Sequence, residues 1–80
     1  MQEILERMQT IISEQFGVDE SSVTETTSFE EDLGADSVDL VELVMAMEDE
    51  FKIGEVGEDE LAGLSTVGDC VRFLAKKLDA

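Results

Sequence analysis

The chain has no histidine, which removes the side chain on which most general-base and nucleophile-activating pairs depend. Its one cysteine, Cys70, stands between Val67 and Val71 and beside Asp69. An adjacent carboxylate disfavours the thiolate, so Cys70 reads as a small core or boundary residue. No CxxC or Cys/His cluster offers a metal site. Carboxylates are abundant, 21 in 80 residues, but acids on solvated faces are the default and nothing marks one as a buried general acid. A calcium loop over Asp32 to Leu43 fails on its chemistry. Its third position is Gly34, its sixth is Ser37 where glycine is needed, and its twelfth is Leu43 where a bidentate glutamate is needed. The glycine before Ser37 is accompanied by neither a Walker lysine nor a dinucleotide fingerprint.

What remains is Ser37, in the stretch Asp32-Leu33-Gly34-Ala35-Asp36-Ser37-Val38-Asp39-Leu40. A serine at a helix start is ordinarily a cap, and that reading stands on position alone. Asp36, however, already occupies the capping place, with Asp39 three residues on to complement it. A serine one residue inside, after a permissive Gly34, is better explained as a side chain presented outward. A helix N-terminus also tolerates a phosphate ester well, because its free backbone N–H groups and dipole favour negative charge.

The elements that must position this serine follow from periodicity. Ile4, Leu5, Met8, Ile11, Ile12 and Phe16 fall at helical intervals and Gly17 stands where a left-handed cap would end them, predicting a helix over 2–16. Glu3, Glu6 and Glu14 decorate its solvated side. The connection 18–35 is long for so small a domain, but Val18, Val23, Phe29 and Leu33 can pin it, so it is expected to be ordered and functional. A second helix is predicted over 37–51, and it carries two apolar stripes. Leu40, Leu43, Val44, Met47 and Phe51 face a core. Val38, Val41 and Met45 form the other stripe, edged by Glu42, Glu48 and Asp49, an arrangement that suggests a partner surface. Two glycines, Gly54 and Gly57, break the pattern, residues 58–62 make one short helical turn ended by Gly63, and Ser65 or Thr66 caps a last helix carrying Val67, Val71, Leu74 and Leu78. Arg72, Lys76 and Lys77 sit near its negative end. The expected fold is all-α: a small bundle of three principal helices plus one short helix, without a sheet, forming a single domain over 1–80.

A domain of this length buries only roughly 60% of the surface its unfolded chain exposes. The 42% apolar share argues for a folded chain, although 5 basic against 21 acidic residues leave a net charge of −16. That sign excludes nucleic acid, repels anionic membranes and favours partners with basic patches. No apolar run approaches membrane length, so no membrane insertion is expected, and the acidic start, with Glu3 and Glu6, lacks the pattern of a signal peptide. A lone cysteine fits a reducing compartment, with the cytoplasm expected, and the chain is expected to be a monomer.

Phe29-Glu30-Glu31-Asp32-Leu33-Gly34-Ala35-Asp36-Ser37, continuing through Val38-Asp39-Leu40-Val41-Glu42-Leu43-Val44-Met45, resembles the attachment motif of acyl carrier proteins. The free-standing type of bacterial fatty-acid synthesis is the nearest in pattern, and the likeness extends to Phe16-Gly17-Val18, to 48–51 and to Thr66-Val67. The resemblance implies a 4′-phosphopantetheine arm, taken from coenzyme A, on Ser37, with acyl chains carried on its thiol as thioesters. It places Asp36 near the magnesium of the phosphopantetheinyl transferase that loads the arm. It implies docking of fatty-acid synthesis enzymes through their basic patches on the second helix, at Val38, Val41, Glu42, Met45, Glu48 and Asp49. The role implied is carriage and not catalysis. The alternatives are a carrier of the same fold for polyketide, peptidyl or other acyl pathways, or an acidic binding adaptor without the arm. Three features depart from the family pattern. Val38 replaces the commoner leucine, Leu40 replaces a smaller or polar residue facing the acyl pocket, and Glu55-Val56-Gly57 has glycine for proline after a connection one residue longer.

Charge yields a first prediction. Between Glu25 and Glu60 fourteen acids accompany Lys52 alone, so self-repulsion concentrates there. Added salt should raise the melting temperature, and divalent cations should raise it more than monovalent salt of equal ionic strength. A melting temperature indifferent to both in a thermal scan contradicts this.

Overall fold

The Gly17 N–H donates to the Ser13 carbonyl at 2.9 Å, and Gly17 itself has φ +70°. Only a residue without Cβ adopts that conformation at little cost, so it ends the first helix, α1 (Gln2–Phe16), where the sequence pattern places the end. The computed structural model describes residues 2–79. After α1 come a single 3₁₀ turn (Glu20–Ser22) and the helices α2 (Ser37–Phe51), α3 (Glu58–Ala62) and α4 (Val67–Asp79). Among the described residues there is no strand, only an isolated antiparallel bridge between Ser28 and Thr66. The all-α expectation therefore holds, and no helix of the described residues is long and apolar enough to cross a membrane.

Met8 and Ile12 of α1 are fully buried, and α1 packs against both α2 and α4. From α2 the core takes Leu43, Val44, Met47 and Phe51, and from α4 it takes Val67, Cys70, Val71 and Leu74. Leu40 is half-buried at the edge. One expected core residue is not there. Leu78 keeps the period of α4 but is 49% exposed, because the buried face of that helix ends one turn earlier, at Leu74.

The long connection is ordered by burial and by backbone bonds to the start of α4. Val23 and Phe29 are buried, while Val18 and Leu33 are half-buried against the core. Phe29 N–H donates to Ser65 O (3.1 Å), Val67 N–H to Thr27 O (3.0 Å) and Gly68 N–H to Glu25 O (2.8 Å). The last two bonds satisfy N-terminal donors of α4 that otherwise have no partner. Gly68 permits this approach, since a Cβ there would lie 2.8 Å from Glu25 O. Of the two candidate caps, Thr66 is the one used. Its Oγ1 accepts Asp69 N–H (3.2 Å), and Asp69 Oδ2 accepts the N–H groups of Thr66 (3.0 Å) and Ser65 (3.1 Å). The backbone bond from Thr66, helped by those from Ser65 and by Arg72, holds the Asp69 carboxyl below its ordinary range.

After Phe51 the backbone turns left-handed at Lys52 (φ 53°) and again at Gly54 (φ 81°), and residues 52–57 are irregular. Gly63 ends α3 in a right-handed conformation (φ −87°), unlike the left-handed cap at Gly17.

The two stripes of α2 separate in stability. Met47 is fully buried and Met45 is 61% exposed. Met47→Ala should cost about 2–5 kcal/mol in urea unfolding, as for a buried large side chain, and Met45→Ala well under that. Equal losses in the two variants contradict the assignment.

Candidate functional site

The turn that delivers Ser37 is built from reciprocal bonds. Asp32 Oδ2 accepts Ser28 N–H (2.7 Å) and Ser28 Oγ accepts Glu31 N–H (3.1 Å). The Ser28 carbonyl accepts the N–H groups of Asp32 (3.0 Å) and Leu33 (3.2 Å). Gly34 then takes φ +64°, and Ala35, buried at 6% exposure, returns its N–H to Phe29 O at 2.8 Å. The chain thus enters α2 in a direction set by Phe29 and Ala35.

At the entry Asp36 is extended (φ −99°, ψ −174°), and its Oδ1 accepts Asp39 N–H at 3.0 Å. Asp39 Oδ2 accepts Asp36 N–H at 3.2 Å, which completes a capping box. Capping therefore needs nothing from Ser37. Among the described residues the Ser37 hydroxyl has no hydrogen-bond partner, and the residue is exposed. Gln15 Nε2 braces the same turn from α1, donating to Asp39 O at 2.9 Å. Gln9 Nε2 similarly donates to Val23 O at 2.7 Å. The sequence reading passed over these two glutamines. Their signal was a neutral amide donor on a helix otherwise edged by glutamates.

Beside Ser37 lies an open groove of ≈ 370 Å³, walled by Phe29, Leu40 and Val41 on one side and Leu61, Ala62 and Leu64 on the other. Val41, Glu58 and Leu61 are shared with a second groove of ≈ 530 Å³, which runs between α2 and the 52–57 connection past Val44, Met45, Glu48 and Val56. The second apolar stripe of α2 is uncovered: Val38 is 62% exposed and Val41 46%. Glu42 and Asp49 are exposed beside it. Glu48 is not a free rim charge, since it is half-buried and its Oε2 accepts Val56 N–H at 2.8 Å. The structure thus brings Ser37, Val38, Val41, Glu42, Met45, Glu48 and Asp49 onto one helix and sets Asp36 at its N-cap, with Asp36 Oδ1 engaged in the cap. Cys70 lies apart, buried in the core. Burial first, and the Asp69 charge second, push its thiol from an ordinary 9.0 up to about 12.

The family described as "Phosphopantetheine attachment site" matches residues 6–74, and with the helical fold this defines a carrier domain that bears a phosphopantetheine arm. The chain is 52% identical over 79 residues to the acyl carrier protein of Guillardia theta, covering 99% of this chain and 96% of that one. It is 52% identical over 77 residues to the acyl carrier protein of Thermotoga maritima, covering 96% and 94%. The solved acyl carrier protein from Enterococcus faecalis, noted for high thermal stability, matches with a TM-score of 0.79 at 32% identity over 95% of each chain. The chain belongs to the acyl carrier protein family. It is a carrier of acyl chains and not an enzyme, and its cofactor is 4′-phosphopantetheine.

Cys70 makes the cofactor easy to count. The native chain without its arm should show no thiol reactive toward a disulfide reagent at pH 8, and one thiol after unfolding; the armed chain should show one and then two. Because only the unfolded chain ionises Cys70 between its ordinary 9.0 and about 12, this thiol also lowers stability as pH rises through that window. A native thiol signal before arming contradicts the burial of Cys70.

Proposed function

We propose that Ser37 is the residue that carries the arm, and that the chain serves fatty-acid synthesis as a free-standing cytoplasmic carrier. The observation that supports Ser37 is its exposed hydroxyl, left without a partner because Asp36 and Asp39 complete the cap between themselves. Loading forms an ester bond from Ser37 Oγ to the phosphorus of phosphopantetheine and breaks the pyrophosphate bond of coenzyme A. The serine proton passes to a base of the transferase, and the nucleotide half leaves. The free N–H groups of the first turn of α2 suit the resulting phosphodiester. Asp36 keeps Oδ2 outside the cap, free for the magnesium of the transferase. When bound, the arm supplies a terminal thiol that holds the acyl chain as a thioester.

The grooves on either side of Val41 and Leu61 provide an apolar lining for that chain. Burial is worth about 0.8 kcal/mol per CH₂, enough to retain a medium chain while still allowing a tighter enzyme pocket to extract it. The docking face is the stripe Val38, Val41 and Met45 with the acids Glu42 and Asp49. Glu48 adds its charge to that rim while tied to Val56. Exposed apolar anchors ringed by acid fit basic patches on fatty-acid synthesis enzymes, with charge steering the encounter.

Incubation with coenzyme A, magnesium and a phosphopantetheinyl transferase should add one arm by intact mass, and Ser37→Ala should abolish the addition. Labelling that persists in the alanine variant, or that never occurs in the parent across several transferases, overturns this assignment.

A further inference from the structure

The connection 52–57 and α3 together form one wall of the second groove, and α2 forms the other. That wall is weakly held. α3 contributes no fully buried residue, and the connection is irregular with two left-handed positions. Segments with few buried contacts open most readily. On its α4 side the wall is tied by Lys77 Nζ, 3.1 Å from a Glu60 carboxylate oxygen, an exposed pair of small worth. On its α2 side Glu48 Oε2 accepts Val56 N–H at 2.8 Å. This is a charge-assisted bond in a half-buried setting and, among the described residues, the only side-chain hydrogen bond from α2 to the connection.

From this geometry we infer that Glu48 is a positioning residue that latches the groove, holding Val56 over its apolar floor and thereby setting how readily a carried chain is exposed. With the bond made, Val56 stays against the core beside Val44 and Met45. With the bond broken, the Val56 N–H turns to water and the 52–57 segment lifts away from α2. Glu42 and Asp49 are exposed on the same helix and serve only the outer field of charge, whereas Glu48 also acts within the carrier. The consequence for chain retention rests on the carrier reading of the groove; the latch itself does not.

Two measurements on the parent, Glu48→Ala, Glu48→Gln and Asp49→Asn test it. The first is hydrogen exchange of the Val56 amide in the unloaded chain. Glu48→Ala should accelerate it about tenfold or more, Glu48→Gln should keep most of the protection because its amide oxygen still accepts, and Asp49→Asn should leave it unchanged. The second is cleavage by hydroxylamine of an octanoyl thioester, loaded from octanoyl-coenzyme A by a transferase. It should be several-fold faster in Glu48→Ala, near parental in Glu48→Gln and unchanged in Asp49→Asn. Unaltered Val56 exchange in Glu48→Ala overturns the latch. So does an Asp49→Asn variant that behaves like Glu48→Ala, and faster exchange without faster cleavage overturns the control of chain exposure by Glu48. Failure of the parent to load would count against the Ser37 assignment alone, since the exchange measurement needs no arm.

Discussion

Phe29 is the residue on which the position of the site depends. Its side chain is 1% exposed, its N–H is bound to Ser65 O at the start of α4, and its carbonyl takes the N–H of Ala35 at the start of α2. One buried ring and two backbone bonds therefore connect the helix that carries Ser37 to the helix that closes the bundle. Satisfying the amide groups of a long connection in this way lets the 20 residues between α1 and Ser37 be ordered with only one 3₁₀ turn. Gly68, where any Cβ would collide with Glu25 O, shows how closely that connection is laid on α4.

The second organising constraint is that α2 serves two surfaces. A helix buried on one stripe and exposed on a second apolar stripe gives up burial that it could have had. The exposed valines and methionine stay tolerable because Glu42 and Asp49 keep the face hydrated. The acid excess sets a corresponding limit on stability. Basic partners are few: Arg7 lies 3.7 Å from Glu50, Arg72 2.6 Å from Asp69 and Lys77 3.1 Å from Glu60. Most carboxylates have no ion pair, so the fold rests on its apolar core and on hydrogen-bonded caps rather than on ion pairs. A charge field unbalanced within the molecule is available to a basic partner, which links marginal stability to recognition.

The sequence by itself determined what depends on neighbours three or four residues away. Gly17 ends α1 because only φ > 0 closes that turn. Asp36 and Asp39 start α2 through an i, i+3 exchange of bonds, and the helical period assigned Met47 inward and Met45 outward. The attachment motif was legible for the same reason, since its turn, cap and serine are contiguous. Tertiary structure decided what depends on residues far apart in the chain. Between the two candidate caps, Ser65 and Thr66, position alone could not choose. Leu78 obeyed the period of α4 yet is left 49% exposed, one turn beyond the last buried residue of that helix. Gln15 reaches across 24 residues to Asp39 O, and Glu48, which patterning placed among rim acids, turns instead to Val56 N–H eight residues on. Such bonds depend on how separate segments are brought side by side, and periodicity along one helix carries no information about the backbone donors and acceptors that packing sets beside it.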